Sequence, residues 1–403
     1  MKRLPFVIIA IFLLVAAAQV DAQTADGYIV VGYGASFDAM DKYFDMYAFR
    51  LDTSGNKVWR KQYGTYDWDW GWWVEQTTDG GYILLGTATR PGAALYFFLN
   101  KIDTGGSSQW QKVYGTDYER GSCVRQTADG GYILAGDSFV YNQTGDDFDF
   151  LVYKVDATGK KEWRKHYGGE DDEMQPTVFQ TADGGYILAG YTNSYHHGAK
   201  DGDLVVYRLD SAGQKLWRRN YGGFYADGWR GEVAPAADGG FVAVTQTSTY
   251  VHGMPGVDDD FLIYKFDSAG AKQWRKNFGG NWPDGAESVQ QTADGGYIVA
   301  GWTQSYLHAT MPVDDYDCLV YKLDASGNKQ WRKNFGGIYT DMAICIRQTA
   351  DGGYVLCGET ESFTHGNLDM LVYKLNAQGQ KEWRKNFGGT SRDHANCVRQ
   401  TFH

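Results

Sequence analysis

The chain has 403 residues and carries 38 Lys and Arg against 49 Asp and Glu, which gives a formal net charge of −11 at pH 7. This acidic balance disfavours nucleic acid and anionic membrane surfaces as partners, because both are negatively charged themselves. The sequence contains no nucleophile motif, phosphate-binding loop, dinucleotide fingerprint or cysteine-based metal spacing, so a non-catalytic function is favoured over an enzyme.

Residues 1–22 have the pattern of a signal peptide. Two basic residues precede an apolar run from Leu4 to Ala18, and the small residues around Ala22 offer a cleavage site. A membrane anchor is the alternative, but the run is shorter than the ~20 residues that a membrane-spanning helix needs. We therefore expect a secreted protein, extracellular or at the cell surface, in which residues 23–403 form a single domain.

One segment, QTADGGYILAGYT at Gln180 to Thr192, recurs in near-copies along the rest of the chain. Its Asp-Gly pair supplies the positive φ angles of a tight turn, and the apolar run after it predicts a strand, so each copy is typical of a β-hairpin. Seven copies place the aspartate at Asp26, Asp79, Asp129, Asp183, Asp238, Asp294 and Asp351. The spacing of 50 to 57 residues indicates a repeat architecture.

A second hairpin is predicted after each of these turns, and its last strand contains one tryptophan. The seven tryptophans are Trp59, Trp110, Trp163, Trp217, Trp274, Trp331 and Trp383. Turns and tryptophans keep one register, which predicts units of four short strands, named a, b, c and d here. Four-stranded units of about 50 residues are typical of propeller blades. We therefore predict an all-β, seven-bladed β-propeller of four-stranded antiparallel blades.

The two ends of the chain predict how this ring closes. The sequence from residue 23 starts at a hairpin turn with no strand a before it, whereas residues 396–401 form a strand a with no hairpin after it. The C-terminal strand would therefore complete blade 1 and leave no blade face exposed.

The long, variable b–c and d–a loops share one face of such a propeller, which favours a binding site there. An acid stands ten positions before the turn aspartate in six blades, and blade 5 has its acid one position out. The seven acids are Asp69, Glu119, Glu173, Asp227, Asp284, Asp341 and Asp393. We expect them to ring the mouth of the central channel and to contact a ligand. The alternative is structural, with each carboxylate accepting backbone N–H bonds in its own loop.

Tryptophans outside the repeat lie beside these acids, namely Trp68, Trp70, Trp229 and Trp282. A sugar stacks its C–H face on an aromatic ring and hydrogen-bonds through its edge, so aromatic rings next to carboxylates favour a glycan-binding surface. Clustered exposed tryptophans otherwise lower solubility. Packing between the loops is the alternative.

Acidic clusters end four of the b–c loops, at residues 146–149, 201–203, 258–260 and 314–317. Carboxylates are ligands for Ca²⁺, so calcium binding is left open, although no cluster has the spacing and glycine of a dedicated calcium loop. No other cofactor is predicted. The five cysteines are odd in number and are expected to be small buried hydrophobes, with a Cys345–Cys357 disulfide left open.

The combination of Leu-Val-Tyr-Lys-Leu-Asp, Phe-Gly-Gly and Gln-Thr-Ala-Asp-Gly-Gly-Tyr resembles the bacterial and archaeal "seven-bladed beta-propeller" repeat family of exported proteins. The resemblance covers the chain after residue 22 and implies a cell-surface or secreted protein. Residues 324–332, DASGNKQWR, are also similar to the tryptophan-docking repeat of pyrroloquinoline-quinone dehydrogenases. Those enzymes usually carry eight blades and a vicinal cysteine pair, whereas this chain has seven repeats and no adjacent cysteines.

We expect a monomeric, non-catalytic propeller that binds a glycan or an extracellular protein through its acidic and aromatic loop face. The rival hypothesis is an exported hydrolase or lyase, or a quinoprotein-like enzyme, that uses the central acidic ring. Two carboxylates in one groove, one of them with a raised pKa, would favour the hydrolase or lyase.

Overall fold

The structure is a computed structural model that describes residues 25–36, 44–65, 67–90, 94–116, 118–141, 146–198, 202–308 and 315–402. Within these ranges the chain forms β-strands and no helix. The strands make seven separate four-stranded antiparallel sheets, so the predicted number of blades and strands per blade is confirmed. The predicted signal peptide, residues 1–22, lies outside the described residues.

Strands a and b form the inner half of each blade. The a strands are β4 (Asp69–Gln76), β8 (Glu119–Gln126), β12 (Glu173–Gln180), β16 (Glu232–Pro235), β20 (Asp284–Gln291), β24 (Asp341–Gln348) and β28 (Asp393–Phe402). The b strands are β1 (Ala25–Gly34), β5 (Tyr82–Arg90), β9 (Tyr132–Tyr141), β13 (Tyr186–Thr192), β17 (Phe241–Thr247), β21 (Tyr297–Thr303) and β25 (Tyr354–Thr360).

Strands c and d form the outer half. The c strands are β2 (Asp45–Leu51), β6 (Ala94–Ile102), β10 (Asp146–Val155), β14 (Asp203–Leu209), β18 (Asp260–Phe266), β22 (Asp317–Leu323) and β26 (Asp369–Leu375). The d strands are β3 (Lys57–Tyr63), β7 (Ser108–Tyr114), β11 (Lys161–Tyr167), β15 (Lys215–Tyr221), β19 (Lys272–Phe278), β23 (Lys329–Phe335) and β27 (Lys381–Phe387).

The C-terminal strand closes the ring as predicted. β28 pairs with β1 in antiparallel register, with Val398 opposite Val30 and Gln400 opposite Tyr28. Each a strand contacts the a strands of both neighbouring blades, and β28 contacts both β24 and β4. The a strands therefore surround the axis of the propeller, with blade 1 built from β28, β1, β2 and β3.

Tryptophans of the d strands join each blade to the next. Trp383 of blade 7 makes an edge contact with Tyr28 of blade 1 at a centroid distance of 5.7 Å, and its indole N–H donates to Thr53 O at 3.3 Å. The turn glycine Gly55 has a φ of 77°, and a Cβ there would lie 2.8 Å from the Trp383 ring. Each indole therefore needs a glycine in the c–d turn of the following blade.

The apolar side chains of strands b and c form the core between the blades. β2, β14, β18, β22 and β26 are buried along their whole length, whereas the d strands are exposed or half-buried at most positions. The tyrosines of strand c are also buried and belong to this core: Tyr153, Tyr207, Tyr264, Tyr321 and Tyr373. Burial of an aromatic side chain removes ~150–250 Å² from water and dominates the energetics of such cores.

A β-bulge interrupts the inner strands at the same place in most blades. The register shifts between Gly71 and Trp73 in β4 and between Ala286 and Ser288 in β20, and equivalent shifts occur in β8, β24 and β28. A bulge leaves one residue unpaired and re-aims its side chain. The fourth residue of strand a is therefore free to vary without breaking the ladder.

Candidate functional site

The seven predicted acids lie at or just before the first residue of strand a. Six begin an a strand, and Asp227 pairs with Thr247 in an isolated bridge ahead of β16. All seven are buried. A Cβ at Gly279 would contact both Asp260 of blade 5 and Asp284 of blade 6, so these acids lie at the interfaces between blades.

Hydrogen bonds from the d–a loops satisfy most of these acids. The backbone N–H groups of Gly280 and Gly337 donate to Asp284 and Asp341, both at 2.8 Å. The equivalent bonds are Thr65 N to Asp69 (2.6 Å), Gly169 N to Glu173 (2.7 Å) and Gly389 N to Asp393 (3.2 Å). Glu119 accepts instead from Tyr153 and Arg164. These bonds fit the structural alternative, and direct ligand contact by the acids stays a prediction.

At five of the seven blade interfaces, a second buried acid, the first residue of strand c, lies close to one of these acids. These second acids are Asp45, Asp203, Asp260, Asp317 and Asp369. Burial and the neighbouring Asp317 raise the pKa of Asp341 to about 6, and burial and Asp369 do the same to the pKa of Asp393. Oδ1 of Asp317 and Oδ1 of Asp341 have no hydrogen-bond partner. Two adjacent carboxylates disfavour ionisation of both, so these interfaces bind protons at a higher pH than a free aspartate does.

Histidines of the b–c loops bind the same strand-c aspartates. Nδ1 of each histidine lies within hydrogen-bond distance of the carboxylate, in the pairs His197–Asp203, His252–Asp260, His308–Asp317 and His365–Asp369. Among the described residues, no group of three or more His, Cys, Asp or Glu could hold a metal ion. Parts of the acidic clusters, including residues 201 and 314, lie outside that description.

The four predicted tryptophans lie on the loop face. Trp68, Trp229 and Trp282 are 38%, 43% and 63% exposed, and Trp70 lies 6.1 Å from Trp68 by ring centroids. The surface therefore presents indole rings to solvent near the mouth of the channel. This exposure agrees with the arrangement expected for a glycan-binding surface, and the role itself stays a prediction.

The central channel holds a cavity of about 360 Å³ at the level of the a strands. Small-molecule sites typically enclose roughly 300–1,000 Å³. The cavity is lined by aromatic, cationic and acidic side chains, chiefly Tyr33, Trp72, Arg120, Asp137, Arg230, Glu287, Glu359 and His394. None of the eleven residues singled out from the sequence lines it. The structure therefore adds a second candidate site, below the predicted one.

Two register positions each supply several of the lining residues. One is the residue at the bulge of strand a, which is Trp72, Ser122, Glu287, Ile344 or Asn396, depending on the blade. The other is the residue five positions after the repeat tyrosine of strand b, which supplies Tyr33, Asp137 and Glu359. By contrast, the repeat tyrosine itself, such as Tyr28, is present in six of the seven blades. The scaffold repeats, and the cavity lining does not.

Ion pairs and ring contacts fix side chains at two places around the cavity, in blade 3 and at the junction of blades 7 and 1. Arg120 donates to Asp137 through Nε at 2.9 Å and Nη2 at 2.6 Å. Nδ1 of His394 is hydrogen-bonded to Glu359 Oε2, and the His394 ring stacks on Tyr33 at 4.6 Å. Burial, together with the charge of Glu359, raises the pKa of Tyr33 to about 12. These groups are held in place before any ligand binds.

Glu287 occupies the bulge of β20 and has its own partners. Trp302 Nε1 donates to Glu287 Oε1 at 3.2 Å, and Arg230 Nη1 lies 3.8 Å from the same oxygen. Burial raises the pKa of Glu287; Arg230 and the Trp302 hydrogen bond lower it, and the charge of Glu359 raises it further. Perturbed carboxyl groups that line a cavity are candidates for function.

Backbone strain is concentrated at the cavity. Gln175, with a φ of 55°, and Arg230, with a φ of 56°, are the non-glycine residues with positive φ within the described ranges. Both line the cavity. Such conformations cost of order 1–3 kcal/mol each and persist only where the surroundings fix them. Blades 4 and 5 therefore depart from the repeat where they meet the cavity.

Trp73 and a group of charged residues lie next to one another at one end of the cavity lining. The guanidinium groups of Arg125 and Arg399 each lie 4.8 Å from the centroid of the Trp73 ring. Glu232 accepts from Arg347 Nη2 at 2.6 Å and Nη1 at 3.0 Å. The Glu232–Arg347 pair is buried, while Arg125 and Arg399 are half-buried, and we refer to this network as the floor of the cavity.

Aromatic contacts connect the predicted tryptophans to the cavity. Trp68 lies 5.2 Å from Phe44, which lies 5.4 Å from Tyr33. On the blade 5 side, Trp229 precedes Arg230 in the chain and contacts Tyr191 at 5.2 Å. The exposed indoles of blades 2 and 5 therefore flank the entrance, although they do not line the cavity itself.

The five cysteines are buried and free of disulfides, so the Cys345–Cys357 disulfide left open by the sequence is absent from the structure. Among the described residues, no helix is long and apolar enough to cross a membrane.

No family model matches the sequence. The chain is 25% identical over 250 residues to the regulatory protein FlaEY of Caulobacter vibrioides, which aligns 58% of this chain with 25% of that protein. The chain therefore spans about a quarter of the length of this relative.

Similar solved structures include a WD40 domain and a polysaccharide lyase. The WD40 domain of Neurospora crassa Pan2 is 10% identical, and the match covers 82% of this chain and 90% of that chain. Sqt1 from Chaetomium thermophilum is 13% identical, and the match covers 89% of this chain and 86% of that chain. A polysaccharide lyase that acts on ulvan is 9% identical, and the match covers 94% of this chain and 92% of that chain. All three have a TM-score of 0.45, which is too distant to indicate what this chain does.

Proposed function

We propose that this protein is a secreted, cell-surface or extracellular propeller that binds a carbohydrate in its central cavity. The lining carries the proposal: Tyr33 and Trp72 offer rings, while charged side chains such as Arg120 and Glu287 offer hydrogen bonds. A saccharide presents both an apolar ring face and many hydroxyl groups, so it needs this combination. The exposed indoles of Trp68 and Trp229 extend the aromatic surface to the entrance.

The position of these residues in the repeat supports binding over a purely structural role. A repeat residue that holds the fold recurs in most blades, as the tyrosine of strand b does. The cavity residues differ from blade to blade at two register positions. Variation at fixed positions of a rigid scaffold is how repeat proteins build a specific site.

A glycan array probed with the purified chain, followed by calorimetric titration of any hit, tests this proposal. Trp72→Ala should weaken binding about tenfold or more, because it removes a ring from the cavity wall. Leu216→Ala on the outer strand β15 is the control, since Leu216 is exposed and far from the axis. An array without hits, or a hit that both variants bind equally, would contradict the proposal.

A protein partner is the second candidate, and one observation favours it. Loops of blades 4 to 7 expose apolar side chains: Phe224, Met254, Val257, Ile338 and Tyr339. Exposed apolar side chains on one face are typical of protein-binding surfaces. Met254→Ser with Val257→Ser should abolish binding to such a partner while leaving glycan binding unchanged, which separates the two candidates.

Two smaller parts of the proposal have their own tests. We expect a monomer, since the ring of blades is closed by its own C-terminal strand, and light scattering during gel filtration measures the mass directly.

Ca²⁺ binding by the acidic b–c loops is a separate proposal. A melting temperature that rises with Ca²⁺ and returns with EDTA would support it, and identical melting in both would contradict it.

A further inference from the structure

Blade 6 contains a carboxyl group that is held in the cavity by residues outside the repeat. The Glu287 side chain is 7% exposed and lines the cavity. Its partner Trp302 stands at the sixth position of strand b, and the residue opposite it is Gly285. A Cβ at Gly285 would lie 2.7 Å from Trp302 Nε1 and closer still to the ring. Gly285 therefore makes room for the indole that orients Glu287.

A second carboxyl group lines the same cavity from the next blade. Glu359 stands at the sixth position of strand b in blade 7, and Nδ1 of His394 is hydrogen-bonded to its Oε2. In the tautomer with its proton on Nδ1, His394 donates this hydrogen bond to the carboxylate. Glu287 has only the indole N–H and a loosely placed Arg230. The two acids thus have different surroundings within one cavity.

Resting on the proposed carbohydrate binding, we infer that the cavity hydrolyses the glycosidic bond of the saccharide it holds, with Glu287 as the general acid and Glu359 as the general base. This reaction requires two carboxyl groups in different environments, one as the acid and one as the base. Glu287 gives its proton to the glycosidic oxygen as the bond to the anomeric carbon breaks. A water molecule adds to that carbon and gives a proton to Glu359. One water is consumed and one bond is cleaved, and exchange with solvent restores both acids.

The charges around Glu287 agree with this assignment. A general acid must be protonated at the working pH. Burial raises the pKa of Glu287, and Glu359 adds to this effect, whereas Arg230 and the Trp302 hydrogen bond oppose it. Tyr33 and His394 also face this part of the cavity, and His394 is paired with Glu359 rather than with Glu287.

The test uses the full chain, a panel of polysaccharides assayed for new reducing ends, and a panel of aryl glycosides. Glu287→Gln and Glu359→Gln should each lower the rate about a hundredfold or more. Both variants should still bind the glycan found on the array, because glutamine keeps an oxygen that can accept the existing hydrogen bonds. Glu382→Gln is the matched control: it lies on the outer strand β27 with a side chain that is 45% exposed, and it should leave the rate unchanged.

The leaving group distinguishes a general acid from a residue that only supports the fold. A dinitrophenolate leaving group departs without protonation, whereas an alkoxide needs a proton from the general acid. Glu287→Gln should therefore lose much less of the wild-type rate on a dinitrophenyl glycoside than on an alkyl glycoside. An equal loss on both substrates would overturn the role of Glu287.

The anomer released first, read by NMR, tests the role of Glu359. Direct attack by water inverts the anomeric centre, so inversion is expected and retention would overturn the general-base role. Binding without cleavage by wild type would overturn the hydrolase and leave carbohydrate binding standing. Neither binding nor cleavage would overturn both.

Discussion

Glu359 of blade 7 and His394 of blade 1 form a hydrogen bond across the junction where the ring closes. The His394 ring also stacks on Tyr33, which belongs to the first strand of the chain. Residues from the two ends of the described chain thus complete one wall of the cavity. Ring closure and the candidate site depend on the same strand, β28.

His394→Ala should weaken glycan binding about tenfold, because it removes the partner of Glu359 and the ring that supports Tyr33. His365→Ala is a matched control, since His365 forms the same kind of pair with Asp369 outside the cavity lining. We expect it to bind the glycan as wild type does. Titration calorimetry of both variants measures the difference, and equal affinities would contradict the placement of the site.

Gly55→Ala should destabilise the protein more than Gly130→Ala does. Both glycines have positive φ, so both variants carry the same strain of about 1–2 kcal/mol. A Cβ at Gly55 would lie 2.8 Å from Trp383, whereas a Cβ at Gly130 meets no atom within 4 Å. Guanidinium unfolding measures the extra loss, which reports the contact between blades 7 and 1. Equal losses would show that this indole contact adds nothing to closure.

The free energy of unfolding should fall as the pH rises from about 4 to about 7. The pKa of Asp69 is raised to about 7 and those of Asp284 and Asp341 to about 6, chiefly by burial, so the folded state binds more protons than the unfolded state in this range. The pKa values of Asp129 and Asp294 are lowered to about 2, and the stability they add is lost only below pH 4.

One histidine opposes this trend. Burial lowers the pKa of His166 to about 4, so its contribution falls as the pH drops below its usual value near 6.5. Acids with a raised pKa outnumber this histidine, so we expect the trend to hold. The free energies of unfolding at pH 5 and pH 7.5 give the sign of the net change. Asp341→Asn should reduce the difference by about 1–3 kcal/mol. A protein that is more stable at pH 7.5, or a variant with an unchanged difference, would contradict the buried acid pairs.

Glu232→Gln should destabilise the protein by about 3–5 kcal/mol, because it leaves Arg347 buried without its carboxylate. The side chains of Glu232 and Arg347 are 4% and 8% exposed. Glu75→Gln is the matched control: Glu75 is 25% exposed and lies 3.6 Å from Arg125, so its removal should cost less than about 1 kcal/mol. Urea unfolding compares the two, and similar losses would argue against a buried ion pair in the floor.

The repeat made the architecture predictable from the sequence. Seven aspartate turns and seven tryptophans in one register determine the blades, and the unpaired strand near Val398 predicts the closure. Those positions recur because each one packs against the next blade. The same recurrence drew attention to acids such as Asp341, which the structure buries between blades.

The cavity could not be predicted in the same way, because its residues do not recur. Glu287 lines the cavity because it is the bulge residue of β20. The residues around it do not predict that bulge. Arg230 depends on a strained backbone conformation before β16. One signal was present in the sequence: the residue five positions after the repeat tyrosine of strand b changes from Tyr33 to Asp137 to Glu359, while the strand around it repeats.

A crystal structure with the glycan identified on the array tests the central claim most directly. Electron density for a sugar ring beside Tyr33 and Trp72, within hydrogen-bond distance of Glu287, is the predicted result. A glycan bound only at Trp282 or on an outer strand, with no density in the cavity, would contradict the claim.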